Sequence, residues 1–214
     1  MIKIENVDVY GWEAAIRGAR NPMNSWDKMD SMWDADWETD WNTCSYHVGP
    51  NDHKLLSNLT NAGPDHGKFM RMITVSLDIT APLYWWKEFD TYKVGTVANS
   101  CSTMHKIHAK QFTFDDFSHD HLGLGLGVLG TVIDYLNVYR EEFLSTKDKK
   151  YWWQLIQLLP SSYNQRRTVL LNYQVLKSMY HARKHHKLDE WREFCRWIET
   201  LPYSELITGG HVDD

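Results

Sequence analysis

The sequence has few cysteines, no long apolar run and no excess of positive charge. Its three cysteines, Cys44, Cys101 and Cys195, are too far apart in the chain to indicate a disulfide framework or a zinc-binding set. No stretch of 18 apolar residues occurs, and residues 1–5 lack the apolar core of a signal peptide. We therefore expect a cytoplasmic protein with no membrane partner.

The net charge of −5 and the sequence pI of about 6.1 do not favour binding to a nucleic-acid backbone. The whole excess falls between residues 25 and 45, where six acidic residues stand against one base, Lys28. In the rest of the chain the numbers of acidic and basic residues are equal, so the sequence is compatible with a local basic site that binds a small anion. The acidic residues are Asp27, Asp30, Asp34, Asp36, Glu38 and Asp40.

A length of 214 residues predicts a single domain, 1–214, with an acidic, tryptophan-rich insertion at about 22–48. Within the insertion an apolar residue recurs at every fourth position, which predicts a helix that packs its tryptophan face on the core or on a neighbouring subunit. A platform on which a ligand ring stacks is the alternative. The stripe consists of Met29, Trp33, Trp37 and Trp41.

The predicted strands come early in the chain and the helices late. Two runs of alternating residues predict strands, and Thr91 begins a segment that we expect to be a loop or a short strand, to about residue 105. Because no strand–helix–strand alternation occurs, we predict an α+β fold with a mixed or antiparallel sheet and flanking helices. The predicted strands are 2–10 and 69–79, and the predicted helices are 12–20, 51–61, 80–89 with Pro82 in its first turn, 122–144, 151–159, 165–187 and 189–200.

Two local patterns resemble binding motifs but lack the context that such motifs need. Residues 125–130 match G-x-G-x-x-G, yet they follow a polar loop and not a strand, so we interpret them as the start of a packed helix. A group of histidines with one aspartate would suit a metal, but no C-x-x-C or H-E-x-x-H motif accompanies it, and we predict no metal. The group is His105, His108, His119, Asp120 and His121.

Arg183 follows Leu176, Met179 and Tyr180 at helical spacing, so it lies on an apolar helix face. An arginine on an inner face needs an anionic partner, because its charge cannot be buried alone. That partner is either a protein carboxylate or a ligand phosphate, and the sequence leaves the choice open.

Two blocks of sequence, taken in order and spacing, resemble the flavin-dependent thymidylate synthase family. The first contains His66, a hydrophobic strand, Ala81-Pro82, Lys93 at the last position of the family's R-H-R motif, and Ser102 in its N-E-x-S-x-R-Y loop. In the second, Asn172 follows Pro160 by twelve residues and Arg183 follows Asn172 by eleven, as in the family. Together the resemblance covers about two thirds of the chain.

The chain departs from the family at several cationic positions. Thr91 and Tyr92 replace the first two residues of R-H-R, Ser100 replaces the glutamate of the loop motif, and Met104 replaces its arginine. Charge-assisted phosphate contacts contribute about 1.5–3 kcal/mol each, so these losses weaken the binding of a phosphorylated ligand. Helix N-termini, Lys106 and Arg71 are the groups that could compensate for them.

The resemblance implies an α+β fold and a homotetramer whose active sites are shared between subunits. It also implies FAD, a dUMP substrate, and methylenetetrahydrofolate and NADPH as co-substrates. By position, His66, Lys93 and Asn172 would bind the cofactor, and Ser102 and Arg183 would bind the nucleotide. No catalytic side chain is identified.

The function that the resemblance implies is transfer of a folate-derived one-carbon unit to uracil C5 by a divergent enzyme of this type. The alternative is a non-catalytic nucleotide-binding or scaffold protein that keeps the fold but has lost FAD.

Overall fold

A four-stranded antiparallel sheet forms the centre of the chain, for which a computed structural model describes residues 2–34 and 46–209. Its strand order is β1-β4-β6-β5, and a separate two-stranded ribbon pairs β2 with β3. The strands are β1 (Lys3–Tyr10), β2 (Met32–Trp33), β3 (Tyr46–His47), β4 (Thr74–Pro82), β5 (Val97–Ser100) and β6 (Asn164–Asn172).

Helices cover one face of this sheet. Sheet and helices together confirm the predicted α+β class. Within the described part of the chain, no helix combines the length and apolar character needed to cross a membrane. The helices are α1 (Trp12–Arg20), α2 (Pro50–Asn61), α3 (Leu83–Phe89), α4 (Leu126–Thr146), α5 (Lys149–Leu158), α6 (Tyr173–Arg183), α7 (Asp189–Ile198) and α8 (Glu205–Thr208).

The central strand β4 alternates between the core and the open face of the sheet. Val75, Leu77 and Ile79 are buried, whereas the residues between them are half-exposed. The strand continues to Pro82, so the predicted helix start at residues 80–82 is wrong, and the helix begins only at Leu83. The predicted alternation is correct, but the strand starts later than residue 69. The reason is a 3₁₀ helix at Gly67–Arg71, which buries Phe69 and Met70 before the extended backbone begins.

Two separate clusters of buried apolar side chains stabilise the fold. The larger lies between the sheet and helices α1, α3, α6 and α7, and includes Trp85, Trp86 and Trp191. The smaller joins the α4–α5 hairpin to the segment that precedes it. Its members are Ile107, Phe112, Phe117, Leu129, Ile133, Leu136 and Leu155.

The predicted helix over 165–187 is wrong in its first third, which is strand β6. Residues 164–172 pair with β4 along its whole length, from Pro82↔Asn164 to Thr74↔Asn172. This pairing satisfies the backbone and buries Val169 and Leu171 on the core side. The helix α6 begins only after Asn172, whose side-chain oxygen accepts a hydrogen bond from the Val175 N–H at 3.0 Å.

The predicted helical stripe of the acidic segment is wrong where the structure describes it. Met29 is extended, and Trp33 lies in β2. The backbone there is held by Asp52, whose carboxylate accepts hydrogen bonds from the N–H groups of Asp30 and Ser31. The other members of the segment, Trp37, Trp41, Asp36, Glu38 and Asp40, lie outside the described residues.

Asp52 is itself fully buried beside Arg20, with 2.6 Å between Arg20 Nε and Asp52 Oδ1. Burial alone would raise the pKa of Asp52, but the hydrogen bonds from Ser31 and Arg20 outweigh it and lower that pKa. The ion pair therefore joins α1, α2 and the acidic segment into one unit.

Candidate functional site

A groove of about 490 Å³ lies between the loop after α3 and the first turns of α6. It brings together Lys93 and Asn172, two of the residues that the resemblance assigned to cofactor binding. The groove is lined by two cations, several polar groups and no acidic side chain. Its lining residues are Arg71, Thr91, Tyr92, Lys93, Val94, Gly95, Asn172, Gln174, Val175 and Ser178.

The loop that carries Lys93 is held against α6 by a tight turn and by a glycine. The Thr91 hydroxyl and backbone N–H both donate to the Glu88 carbonyl oxygen, at 2.7 and 3.1 Å. Gly95 has a positive φ of 79°, and a Cβ at this position would lie 2.9 Å from Asn172 Nδ2. Only glycine therefore lets the loop lie directly on Asn172.

Asn172 lies at the junction of β6 and α6, where its side chain has a structural role as well. Its amide oxygen caps α6, and the adjacent Tyr173 N–H donates to the Ile73 carbonyl at 3.0 Å. The amide nitrogen is directed toward Gly95 and the groove. The cap fixes the orientation of this donor before any ligand binds.

The two cations of the groove have no partner in the part of the chain that the structure describes. Neither Arg71 nor Lys93 makes an ion pair or a side-chain hydrogen bond among residues 2–34 and 46–209, whereas the eight other arginines all do. Two unpaired cations in a groove without acids form a site that suits an anion such as a phosphate or diphosphate. Arg71 was not among the predicted cofactor-binding residues.

Arg183 lies behind the groove, in an ion pair with a protein carboxylate. Its Nη1 is 2.7 Å from Glu88 Oε2, and its Nε donates to the Tyr92 hydroxyl at 3.0 Å. The guanidinium carbon is 4.9 Å from the centre of the Trp191 ring. The sequence left open whether Arg183 pairs with a protein carboxylate or with a ligand phosphate, and in the structure it pairs with the carboxylate of Glu88. Tyr92, which bonds to Arg183 and lines the groove, connects this ion pair to the groove.

Glu88 is the centre of this cluster. Its Oε2 also accepts a hydrogen bond from Trp191 Nε1 at 3.0 Å and lies 3.3 Å from His186 Nε2. Sequence reasoning missed Glu88, because it is 95 residues from Arg183 and nothing local indicates the pairing.

His66 and Ser102 do not line this groove. His66 lines a second cavity of about 480 Å³ with Gly18 and Ala19 of α1 and with Met72. The Ser102 hydroxyl accepts hydrogen bonds from the backbone N–H groups of Met104 and His105, both at 3.1 Å, and so stabilises its own loop. The five predicted residues therefore lie in four separate places. Lys93 and Asn172 line the groove, and Arg183 forms the ion pair beside it. His66 lines the second cavity, and Ser102 lies in its own loop.

Three of the four histidines that were considered as a metal site have separate hydrogen-bond partners, and the fourth, His108, packs edge-on against the Phe143 ring. His105 bonds to Ser102, His121 pairs with Asp189, and His119 bonds to the Phe117 carbonyl. Among the described residues no group of three or more histidine, cysteine or acidic side chains converges as a metal site would.

The G-x-G-x-x-G match lies at the start of α4, as predicted. Gly125 ends a 3₁₀ turn, and Gly130 is inside the helix, where a Cβ would meet the Phe114 ring at 3.3 Å. The residues directly before it form a loop and a 3₁₀ turn and not a strand, so the match is not a dinucleotide-binding turn.

No protein-family model matches the sequence, and no curated protein is similar to it. Solved structures do match. The flavin-dependent thymidylate synthase ThyX from Helicobacter pylori, complexed with FAD and dUMP, is similar with a TM-score of 0.67 at 14% identity, over 95% of this chain and 97% of that chain.

A second match is PolB from Streptomyces cacaoi, a UMP/dUMP methylase bound with 5-Br dUMP. It has a TM-score of 0.65 at 15% identity, over 98% of this chain and 95% of that chain. Both matches span nearly the whole of each chain, and they bear out at the level of the fold the resemblance that the sequence motifs indicated. The chain has the fold of the flavin-dependent thymidylate synthases.

Proposed function

We propose that this chain is a divergent flavin-dependent thymidylate synthase-like enzyme, which binds FAD and a pyrimidine deoxynucleotide and transfers a folate-derived one-carbon unit to uracil C5. The observation that carries the proposal is the groove in which Lys93 and Asn172 meet Arg71 with no acid present. The methylase PolB and the synthase ThyX, whose folds it shares, were crystallised with 5-Br dUMP and with FAD and dUMP, respectively.

The residues of the groove fit a phosphorylated cofactor. Arg71 and Lys93 supply two cations, and the preset amide of Asn172 supplies a neutral donor. Arg71 thereby offsets part of the loss of the two family cations that Thr91 and Tyr92 replace. A reduced flavin, when bound, supplies a hydride, and the chain's own residues bind and orient it.

The proposal includes a cytoplasmic homotetramer with shared sites, and with methylenetetrahydrofolate and NADPH as co-substrates. Ser102 does not line the groove of its own chain, so its role in a nucleotide loop requires a site shared with a neighbouring subunit. His66 would contribute from the second cavity, beside the flavin. The proposal also keeps the prediction that residues 1–214 form a single domain with an insertion at about 22–48.

The first experiment is the visible absorption spectrum of the purified protein after incubation with FAD and desalting. We expect retained flavin absorbance in the wild type. Arg71→Ala and Lys93→Ala should each weaken FAD binding about 10- to 100-fold, because each removes one charge-assisted phosphate contact worth about 1.5–3 kcal/mol. Fluorescence titration with FAD measures the change.

The matched controls are Arg196→Ala and Lys149→Ala, which remove exposed cations that do not line the groove. They should leave FAD affinity unchanged. A folded wild-type protein that retains no flavin would overturn the assignment of the groove and favour the scaffold alternative.

One observation favours that alternative, a non-catalytic nucleotide-binding or scaffold protein. Arg183, which the resemblance assigned to the nucleotide, already has its charge balanced by Glu88. A guanidinium in such a pair is less available to a ligand phosphate, since the ligand must compete with the carboxylate.

A calorimetric titration with dUMP tests whether Arg183 holds the nucleotide. If Arg183 holds the nucleotide, Arg183→Ala abolishes dUMP binding and Glu88→Gln strengthens it, because the competing carboxylate charge is removed. Lys184→Ala, the next residue in the chain, is the control and should have no effect. Unchanged affinity in both Arg183→Ala and Glu88→Gln would show that the pair has a structural role only.

A further inference from the structure

A small cavity lies beside the groove, where the end of α2 and the turn after it meet helix α6. Its volume is about 240 Å³, half that of the groove or of the cavity that His66 lines. We name it the Lys177 cavity, after the one cation among its lining residues in the described part of the chain. The lining includes Thr60, Gly63, Gly67, Met70, Gln174 and Lys177.

Two elements connect the Lys177 cavity to the groove. On α6, Gln174 lines both spaces and precedes Lys177 by three residues. In the 3₁₀ helix Gly67–Arg71, Met70 lines the cavity, and the next residue, Arg71, lines the groove. A molecule that binds next to the groove can therefore reach Lys177 across a single side chain.

Lys177 is half-buried and has no carboxylate beside it. Its amine donates one long hydrogen bond, 3.5 Å, to the Thr60 carbonyl oxygen, and within the described residues it forms no ion pair. Burial alone lowers the pKa of Lys177, because no nearby acid stabilises its charge. A lysine amine has three N–H donors, so the Thr60 contact leaves two of them for a ligand.

The size of the Lys177 cavity indicates which part of a ligand enters it. Complete binding sites for small molecules have volumes of about 300–1,000 Å³, and this cavity is smaller. It suits one end group of a ligand whose ring systems lie outside it, toward the groove. Since the cavity contains a cation and its described lining contains no acid, that end group is anionic.

We propose that Lys177 binds an anionic end group of a co-substrate that lies beside the cofactor. FAD has no anionic group apart from its diphosphate, for which Arg71 and Lys93 suffice, so Lys177 serves a second ligand. Two ligands of the proposed function carry such a group: the folate has carboxylates, and NADPH has a 2′-phosphate. The choice of these two sources rests on the proposed function, whereas the anion site follows from the cavity itself.

The experiment compares two pairs of ligands, each titrated calorimetrically into protein incubated with FAD. NADPH and NADH differ by one phosphate, and tetrahydrofolate and its dimethyl ester differ by the charge of the carboxylates. In the pair whose end group enters the cavity, the wild type should bind the anionic member about 10- to 100-fold more tightly, which is the effect of one charge-assisted hydrogen bond. Lys177→Met should abolish this preference, and Lys177→Arg should retain it. The pair that responds identifies the source of the anion.

Lys54→Met is the matched control, because it removes an exposed cation of α2 that lines neither the cavity nor the groove. It should retain the preference. Equal affinities for both members of both pairs in the wild type, or a preference that survives Lys177→Met, would overturn the proposal.

Retention of FAD, read from the absorption spectrum of the same samples, separates this proposal from the proposed function. A wild type that retains FAD but shows no preference in either pair would contradict the anion site alone. A wild type that retains no FAD but shows a preference that depends on Lys177 would contradict the flavin assignment and support the anion site.

Discussion

Asp78 shows how one side chain connects three strands of the sheet on its open face. Its carboxylate accepts hydrogen bonds from Asn6 of β1 at 2.7 Å and from Arg166 and Thr168 of β6 at 2.6 and 2.5 Å. Asn6 reaches it because β1 bulges between Glu5 and Asp8, where Asn6 takes a positive φ of 52°. The hydrogen bond from Thr168, followed by those from Arg166 and Asn6, holds the pKa of Asp78 well below its ordinary value.

This pKa predicts a dependence of stability on pH. Because the pKa is lower in the folded state, the ionised carboxylate stabilises the fold above its unfolded pKa of about 3.9, and this stabilisation is lost as the pH falls below that value. Asp78→Asn should therefore be less stable than the wild type at pH 7, and the difference should narrow below about pH 4. Urea denaturation across this range measures it.

Asp115→Asn is the control for this change, since the Asp115 side chain is exposed and has no ion pair among the described residues. A constant difference between Asp78→Asn and the wild type from pH 7 to pH 3 would contradict the prediction.

Only some residues of the candidate site could be predicted from the sequence. Motif spacing identified Lys93 and Asn172, and the structure places both in one groove. Arg71 was interpreted as a strand residue because it falls in a pattern of alternating residues. It lies instead in a 3₁₀ helix, and there it lines the groove. The roles of all five predicted residues in binding stay predictions; the five are His66, Lys93, Ser102, Asn172 and Arg183.

At the scale of elements, the junction of β1 and α1 depends on Gly11. It has a φ of 94°, and a Cβ on it would lie 2.1 Å from the Met72 carbonyl oxygen. That contact is with backbone, so no side-chain adjustment relieves it.

Gly11→Ala should therefore lower the free energy of unfolding by more than the roughly 1 kcal/mol that a positive φ alone costs a non-glycine residue. Chemical denaturation measures the effect. Gly63→Ala is the matched control, because Gly63 also has a positive φ, 112°, but no atom lies within 4 Å of its Cβ position. Equal losses for the two variants would mean that the clash at Gly11 is relieved.

Most elements were predictable, and the exceptions have physical reasons. Local periodicity and capping residues predicted α1, α2 and α7 with bounds that agree closely with the structure. Helix α3 was predicted to start at residue 80, three residues too early, because a proline suits the first turn of a helix. Strand β6 was missed because Leu170 faces outward, which blurs its alternation, and because Arg166 and Arg167 suit a helix equally well. Only its pairing with β4, about ninety residues away, determines its conformation.

At the scale of the whole molecule, the order of strands and helices was sufficient to predict the class of fold. The motif spacings predicted the particular fold, which the solved structures bear out. The separation of the smaller core from the larger one was not predictable, because the apolar residues of α4 do not show which neighbour each of them meets.

The strand order also governs how the chain folds as it is synthesised. The central strand β4 lies between β1, which precedes it, and β6, which begins at residue 164 of 214. Until β6 leaves the ribosome, one edge of β4 has no partner, and this edge is exposed to mispairing while the ninety residues from 83 to 172 are synthesised. The α4–α5 hairpin needs only local contacts and can form earlier, so closure of the sheet is the late and slow step.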